Sequence, residues 1–425
     1  MDTDIRTNPA LLKLDLYCKG IRLDPSLTGE GLEERGGRKI LRTRAGLGSG
    51  LEVVLPGNLW TNVPVAEPFA KDSPYLALAG KDGRVFIEHD ALGPVTEVHL
   101  SPRPDWYDRM TSTGKPMTRI GSLQGTYLGV YPSKVCDYWL HSPKDQCRFC
   151  SVGLNLGADD ADEKSVREVV EVVKAAVAGS GITYVDFNTG HYAGDTYLDI
   201  LEPYIVRVKE ETGVLIGVQT PPHHDLARYR GLRRMGVNRV SFCFELWNRE
   251  RFETVCPGKH QQYGLDRYLE AVAYCAQEVG PQGRGFEPWV VNGEIIAGLE
   301  PAADSIRAID WITGVGAIPT VCVFRPLAGT DYKDVPPPKT EDVLPVFQRL
   351  YAACMERGLP IGMSPNIRVS LVMLPDECRG LQDEPNRFWA KELKMRALRT
   401  AFAFQLRREL KRAGNGVSVA SPAQT

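Results

Sequence analysis

The sequence predicts an α/β protein built on a partial (β/α)6, TIM-like barrel of parallel strands, flanked by a mostly β or irregular N-terminal extension and a C-terminal helical segment. Three observations predict it. Between about residues 120 and 360, short β-branched runs alternate strictly with amphipathic segments. In the best-defined of these segments Val166, Val169, Val170, Val173 and Val177 fall on one helical face and Glu168, Glu171 and Lys174 on the other. Finally, 425 residues with 43% hydrophobic and 24% charged side chains suit one large α/β domain with additions, or two domains.

Residues 1–115 form the N-terminal extension, rich in Gly, Pro and short apolar runs without a strong helical period. Within it, Ser73–Gly80 and Val85–Glu88 read as two strands joined by an Asp82-Gly83 turn. Residues 116–360 form the barrel core. Strands are expected near 125–131, 182–188, 214–219, 237–245, 288–298 and 318–325; the later helices are expected near 196–212, 224–235, 262–279, 302–313 and 340–358. Residues 361–425 form the C-terminal segment. It opens loosely and continues as a basic helix from Asn386 to about Arg412, with Met395, Leu398, Phe402, Leu406 and Leu410 as its apolar stripe. The tail from Gly414 to Thr425 reads as disordered.

Net charge of -2 argues against a nucleic-acid or membrane-surface protein as a whole. No apolar run reaches transmembrane length, and the Met-Asp-Thr-Asp start is acidic where a signal peptide would be basic, so the expected location is cytoplasmic. Ten cysteines in such a chain are expected to be reduced. Cys18, Cys243, Cys256, Cys275, Cys322, Cys354 and Cys378 are scattered singly and read as small buried hydrophobes.

Cys136, Cys147 and Cys150 are different: they cluster within fifteen residues, directly after the apolar run Gly125–Tyr131. In a parallel barrel, chemistry sits at the C-terminal ends of the strands, where this loop begins. Three convergent thiolates suit three irons of a [4Fe-4S] cube and leave the fourth iron free for a ligand. The spacing also leaves open a zinc site with His141 as a fourth ligand, although structural zinc is usually held by two ligand pairs.

With Cys147-Arg148-Phe149-Cys150 closing a cysteine loop after the first strand of a six-unit β/α barrel, the chain resembles the radical S-adenosylmethionine (SAM) enzymes. That family spaces its cysteines by three residues and then two, whereas ten residues separate Cys136 from Cys147 here. The resemblance covers roughly residues 100 to 335 and is closest to biotin-synthase-like proteins, in particular a group encoded beside nitrilases in bacterial gene clusters. The stretches that carry it are Ser101–Asp108, the widened cysteine loop, Pro257-Gly258-Lys259, Ile296–Leu299 and Arg325–Thr330.

The resemblance implies a [4Fe-4S] cluster held by Cys136, Cys147 and Cys150, and SAM as the second cofactor. Phe149 would lie near the adenine. Asn188, Thr189 and Gly190 would meet the methionine amino group, Glu245 the ribose or amino group, Ile296 the adenine face, and Arg325 a carboxylate of SAM or substrate. His191, Tyr192 and Gln219 are the substrate-facing candidates for catalysis, with His223 and His224 just beyond. Implied partners are a small-molecule substrate and an external low-potential electron donor such as flavodoxin or ferredoxin. The implied chemistry is reductive cleavage of SAM to a 5'-deoxyadenosyl radical, followed by hydrogen abstraction. The alternative from another class is a zinc- or cluster-stabilised β/α scaffold that binds a partner without catalysis.

Overall fold

A computed structural model gives the arrangement of the chain. It describes residues 1–28, 50–132, 134–280, 288–364 and 366–412, with the side chains of Thr28, His141 and Arg412 excluded. The expected tail from Gly414 onward and the imidazole weighed as a zinc ligand therefore lie outside the described residues.

Among the described residues the extension contains a six-stranded sheet, with strands β1 (Arg22–Leu23), β2 (Leu51–Leu55), β3 (Leu59–Val63), β4 (Tyr75–Ala79), β5 (Val85–His89) and β6 (Gly93–Leu100) in the order β1-β4-β5-β6-β2-β3. The expected hairpin is β4–β5, with Ala79 opposite Val85 across the Asp82-Gly83 turn. One element contradicts the reading of this region as lacking helix: Pro9–Lys19 is an eleven-residue helix capped by Asn8. Its period is hidden because it is buried on both sides. Leu12 and Leu16 pack into the core of the N-terminal sheet, while Leu11, Leu14 and Tyr17 pack into that of the barrel. Even Lys13 and Asp15 are buried, so no polar face remains to give an amphipathic signal.

The second sheet has seven strands in sequential order: β7 (Ser122–Gln124), β8 (Tyr127–Val130), β9 (Tyr184–Asn188), β10 (Leu215–Gln219), β11 (Arg239–Glu245), β12 (Val290–Ala297) and β13 (Ile318–Val323). From β8 to β13 every pairing is parallel, and helices cross over between successive strands. This is the expected partial barrel. Its edge is extended by β7, which pairs antiparallel to β8 through a turn at Gly125 and which the apolar pattern alone does not separate from β8.

The helix expected at 262–279 is present, but the connection before it holds more. Two short helices, Arg249–Val255 and Pro257–Gln262, precede a longer one at Gly264–Gln277. The helix after the cysteine loop runs Val166–Ser180 and begins with a capping box, in which Ser165 and Glu168 exchange hydrogen bonds. Glu168 is thereby buried, not on the solvent face its position in the period suggests. The C-terminal helix spans Trp389–Arg412. Only the later part of its expected stripe, Leu406 and Leu410 with Ala403, is buried, whereas Leu398 is exposed. Among the described residues no helix is long and apolar enough to cross a membrane.

Candidate functional site

The cysteine loop leaves β8 at its C-terminal end. Cys136 starts the short helix Asp137–His141, and Cys150 precedes another at Val152–Asn155. The ten-residue excursion between Cys136 and Cys147 is tied to the body of the protein. Asp137 N–H donates to the His191 carbonyl at 2.9 Å, the Asp137 carboxylate accepts from Ala193 N–H at 2.9 Å, and Tyr138 Oη donates to Gln262 at 2.5 Å. Gly258 N–H donates to the Asp145 carbonyl at 3.1 Å.

Three glycines let these segments approach. A Cβ on Gly258 would stand 2.6 Å from Asp145 O, one on Gly190 would stand 2.6 Å from Cys136 Cβ, and one on Gly153 would run into the Trp139 ring.

Each thiol has a donor. Cys136 Sγ accepts from His191 N–H at 3.3 Å and from the Tyr138 backbone, and Cys150 accepts from the Val152 backbone. Cys147 takes a hydrogen bond from the buried Cys256 thiol, which lowers its pKa against the effect of burial. Burial pushes Cys136 up to about 11 and, with the neighbouring Cys147, Cys150 up to about 12. Cys256 is thus more than the small hydrophobe its isolation in sequence suggests; the only signal was its place directly before Pro257-Gly258-Lys259.

Behind the thiols lies a buried ion pair, Lys259 Nζ to Glu245 Oε1 at 2.6 Å, with Lys259 also donating to the Cys243 carbonyl at 2.6 Å. Glu245 ends β11 at a register shift and has φ 69°, a left-handed conformation unusual for a carboxylate residue. Burial raises the Glu245 pKa and Lys259 opposes that rise. Burial also disfavours the Lys259 charge, yet the Glu245 carboxylate carries its pKa above the usual lysine range. The ammonium also acts electrostatically on all three thiols.

The other candidates separate into two groups. His191 is buried and held neutral by burial and by Lys259; its ring stacks on Tyr138 at 4.7 Å and lies 2.5 Å from Tyr268 Oη. Tyr192 is buried too, donating to the Lys134 carbonyl at 2.5 Å. Both support the cysteine loop. His224 pairs with Asp195 at 2.5 Å, and His223 N–H donates to Tyr229 Oη at 2.8 Å.

Asn188 and Gln219 instead line the concave face of the barrel, in a cavity of about 480 Å³. There Asn188 donates to Gln219 at 2.8 Å, and Gln219 donates to Glu294 at 2.9 Å. Arg239 bridges Glu294 at 2.7 Å and Asp186 at 3.0 Å. Thr189 N–H donates to the Gln219 carbonyl at 3.2 Å. The inward set Asp186, Ser241 and Glu294 follows from the two-residue period of the strands, but each strand alone gives no sign of the others.

Phe149, Ile296 and Arg325 line a second, smaller pocket, which shares Cys322 and Leu371 with the large cavity. Arg325 is turned toward the N-terminal sheet, donating to Asn62 Oδ1 at 3.0 Å and to its carbonyl at 2.6 Å.

The donor set fits an iron–sulfur cluster: three thiols from one loop, each with a hydrogen-bond donor and all near one ammonium, which are the groups that tune such clusters. Among the described residues no three His, Cys, Asp or Glu side chains are arranged around a single metal ion.

No family model matches the chain. It is 25% identical over 274 residues to the bacteriochlorophyllide c C-7(1)-hydroxylase of Chlorobaculum limnaeum, covering 60% of this chain and 65% of that protein. The chain therefore spans just under two thirds of the length of the curated relative it matches. Among solved structures it is similar to methylornithine synthase PylB, with 19% identity, TM-score 0.41, and 53% of this chain and 62% of that one covered. It is also similar to coproporphyrinogen III oxidase HemN from Escherichia coli, described as a radical SAM enzyme, with 16% identity, TM-score 0.32, and 42% and 41% covered.

Proposed function

We propose that this chain is a radical SAM enzyme that acts on a small molecule held in the barrel. The observation that carries the reading is the placement of the Cys136, Cys147 and Cys150 loop at the C-terminal mouth of a parallel half-barrel, next to a pocket that is lined by Phe149 and Ile296 and shares Cys322 and Leu371 with the lining of the large interior cavity. When bound, the [4Fe-4S] cluster and SAM together supply a 5'-deoxyadenosyl radical able to remove hydrogen from an unactivated carbon.

The chain's own residues bind, orient and exclude water. Cys136, Cys147 and Cys150 hold the cluster, and the His191 N–H, Cys256 thiol and Lys259 ammonium set the electrostatics around their sulfurs. Phe149 and Ile296 provide apolar faces for an adenine. Glu245 and the Asn188-Thr189-Gly190 turn supply polar groups for the rest of SAM, and Gly190 also lets Cys136 pack closely. Gln219 faces the substrate, while His191 and Tyr192 act as positioning residues for the cysteine loop. Arg325 ties the sixth parallel strand to the N-terminal sheet, which helps to close the site against water. Electrons come from an external low-potential donor such as flavodoxin or ferredoxin.

Anaerobic reconstitution tests this. A brown protein with about four irons and four sulfides per chain, forming 5'-deoxyadenosine from SAM and dithionite, is the expected result. Stoichiometric zinc with no SAM cleavage would overturn it in favour of a non-catalytic scaffold. Cys136→Ser, Cys147→Ser and Cys150→Ser should each lose both iron and 5'-deoxyadenosine formation.

A further inference from the structure

The large cavity has two unlike walls. One is the concave face of strands β8 to β13, where Asn188, Gln219, Asp186, Arg239 and Glu294 form a connected polar network. The other is the segment from Pro360 to Asp376, which contributes Ile361, Met363, Ile367, Leu371, Val372 and Met373. A volume of about 480 Å³ lies in the range that encloses a small organic ligand. The second wall also carries Arg368 and Asp376, so the lining asks for an apolar body with a polar end.

The charge on the lining selects the polar group. Among the described residues of the lining, Asp160, Asp186, Glu294 and Asp376 face two cations, Arg239 and Arg368. Arg239 is already committed: Nε donates to Asn292 at 2.8 Å, Nη1 to Asp186 at 3.0 Å and Nη2 to Glu294 at 2.7 Å. It has no free edge for a carboxylate. Arg399, outside the lining but in electrostatic contact with Asp376, still leaves one acid in excess among the described residues. Furthermore, Asp376 Oδ1 is buried with no hydrogen-bond partner among the described residues. A buried carboxylate oxygen left unmatched is costly and is matched most simply by an N–H donor bearing positive charge.

We propose that this cavity is the substrate site and that it selects an amphipathic amine, with an apolar body against Leu371, Val372 and Met373 and a cationic nitrogen against the surplus carboxylates. The inference rests on the radical SAM reading, since that makes the cavity a substrate chamber. It gives the cavity's acidic excess a purpose: an anionic ligand of the same shape meets like charge and is disfavoured.

The test uses the full chain with its cluster reconstituted, and calorimetry with two probes of similar size, 4-phenylbutylamine and 4-phenylbutyrate. The amine should bind, and the carboxylate should bind at least about tenfold more weakly. Asp376→Asn should weaken the amine several-fold with little loss of melting temperature, because Oδ1 has no hydrogen-bond partner among the described residues. Leu371→Trp should fill the apolar side and weaken both probes. Equal or tighter binding of the carboxylate, no binding of either probe, or an unchanged amine affinity in Asp376→Asn would each overturn the inference. The same preparation is assayed for 5'-deoxyadenosine. Cleavage of SAM without selective amine binding sinks the inference alone, whereas selective amine binding without SAM cleavage sinks the reading it rests on.

Discussion

A methyl group added at Gly258 would stand 2.6 Å from the Asp145 carbonyl oxygen and 2.8 Å from the Tyr138 ring. The cysteine loop and the Pro257–Gln262 helix approach there backbone to backbone, so Gly258→Ala is expected to push the loop outward. The loss should be about 1–3 kcal/mol, read in denaturant midpoints, together with reduced iron uptake on reconstitution. The neighbouring Lys259 behaves differently. Lys259→Met leaves the buried Glu245 carboxylate without its counter-charge and should cost about 3–5 kcal/mol, while adding Glu245→Gln to that variant should recover most of it. A double-mutant cycle that finds the two losses additive would contradict a direct pairing. Gly258 and Lys259 were legible in the sequence only as parts of a short motif. Their task, one making room for the cysteine loop and the other neutralising the end of β11, depends on segments more than a hundred positions away in the case of the loop.

At the scale of the element, the helix Val166–Ser180 shows how a sequence pattern and a tertiary contact diverge. Its apolar period and its Ser165 start are plain, but Glu168 does more than cap. Its carboxylate accepts from Ser165 and Thr113 and lies 3.3 Å from Lys115 Nζ, so it joins the helix to the preceding loop. Burial works against its ionisation, yet these hydrogen bonds hold its pKa down to about 2. Because the folded-state pKa lies below the unfolded one, the contribution is complete above the ordinary carboxylate range and is lost as pH falls toward 2. Ser165→Ala should cost about 1 kcal/mol at neutral pH. Glu168→Gln should lower the melting temperature at pH 7, and its difference from the parent chain should shrink as pH is brought from 5 to 3. The helix Pro9–Lys19 is the opposite case, a true element without a visible period, because both of its faces are buried and the amphipathic signal depends on one being wet.

At the scale of the whole molecule, that same helix joins two hydrophobic cores. Leu12 serves one and Leu14 the other, so the N-terminal sheet and the barrel are expected to unfold together. Leu12→Ala and Leu14→Ala should each cost about 2–5 kcal/mol and still leave a single calorimetric transition; two resolved transitions in either variant would show that the helix does not couple the cores. Further ties run the same way: Arg325 to Asn62, Tyr17 Oη to the Ser370 carbonyl at 2.6 Å, and the Asn62 N–H to the Ser370 carbonyl at 2.7 Å. Together they place the N-terminal sheet and the segment after residue 360 against the sixth parallel strand.

The sequence by itself determined the alternation of strands and helices, and hence the parallel half-barrel, because periods of 2 and 3.6 residues are local properties of a chain that must bury one face. It also marked out the cysteine trio, since three thiols within fifteen residues at the end of a strand are conspicuous without any knowledge of the rest. Only the tertiary structure decided which groups stand around them. It set Cys256 against Cys147 and Lys259 against Glu245, moved His191 and Tyr192 into support of the loop, and assembled Asp186, Gln219, Arg239 and Glu294 from four strands into one polar wall. Those contacts join residues far apart in the chain. Their energies come from burial and electrostatics that exist only once the barrel has curled, and no local pattern encodes them.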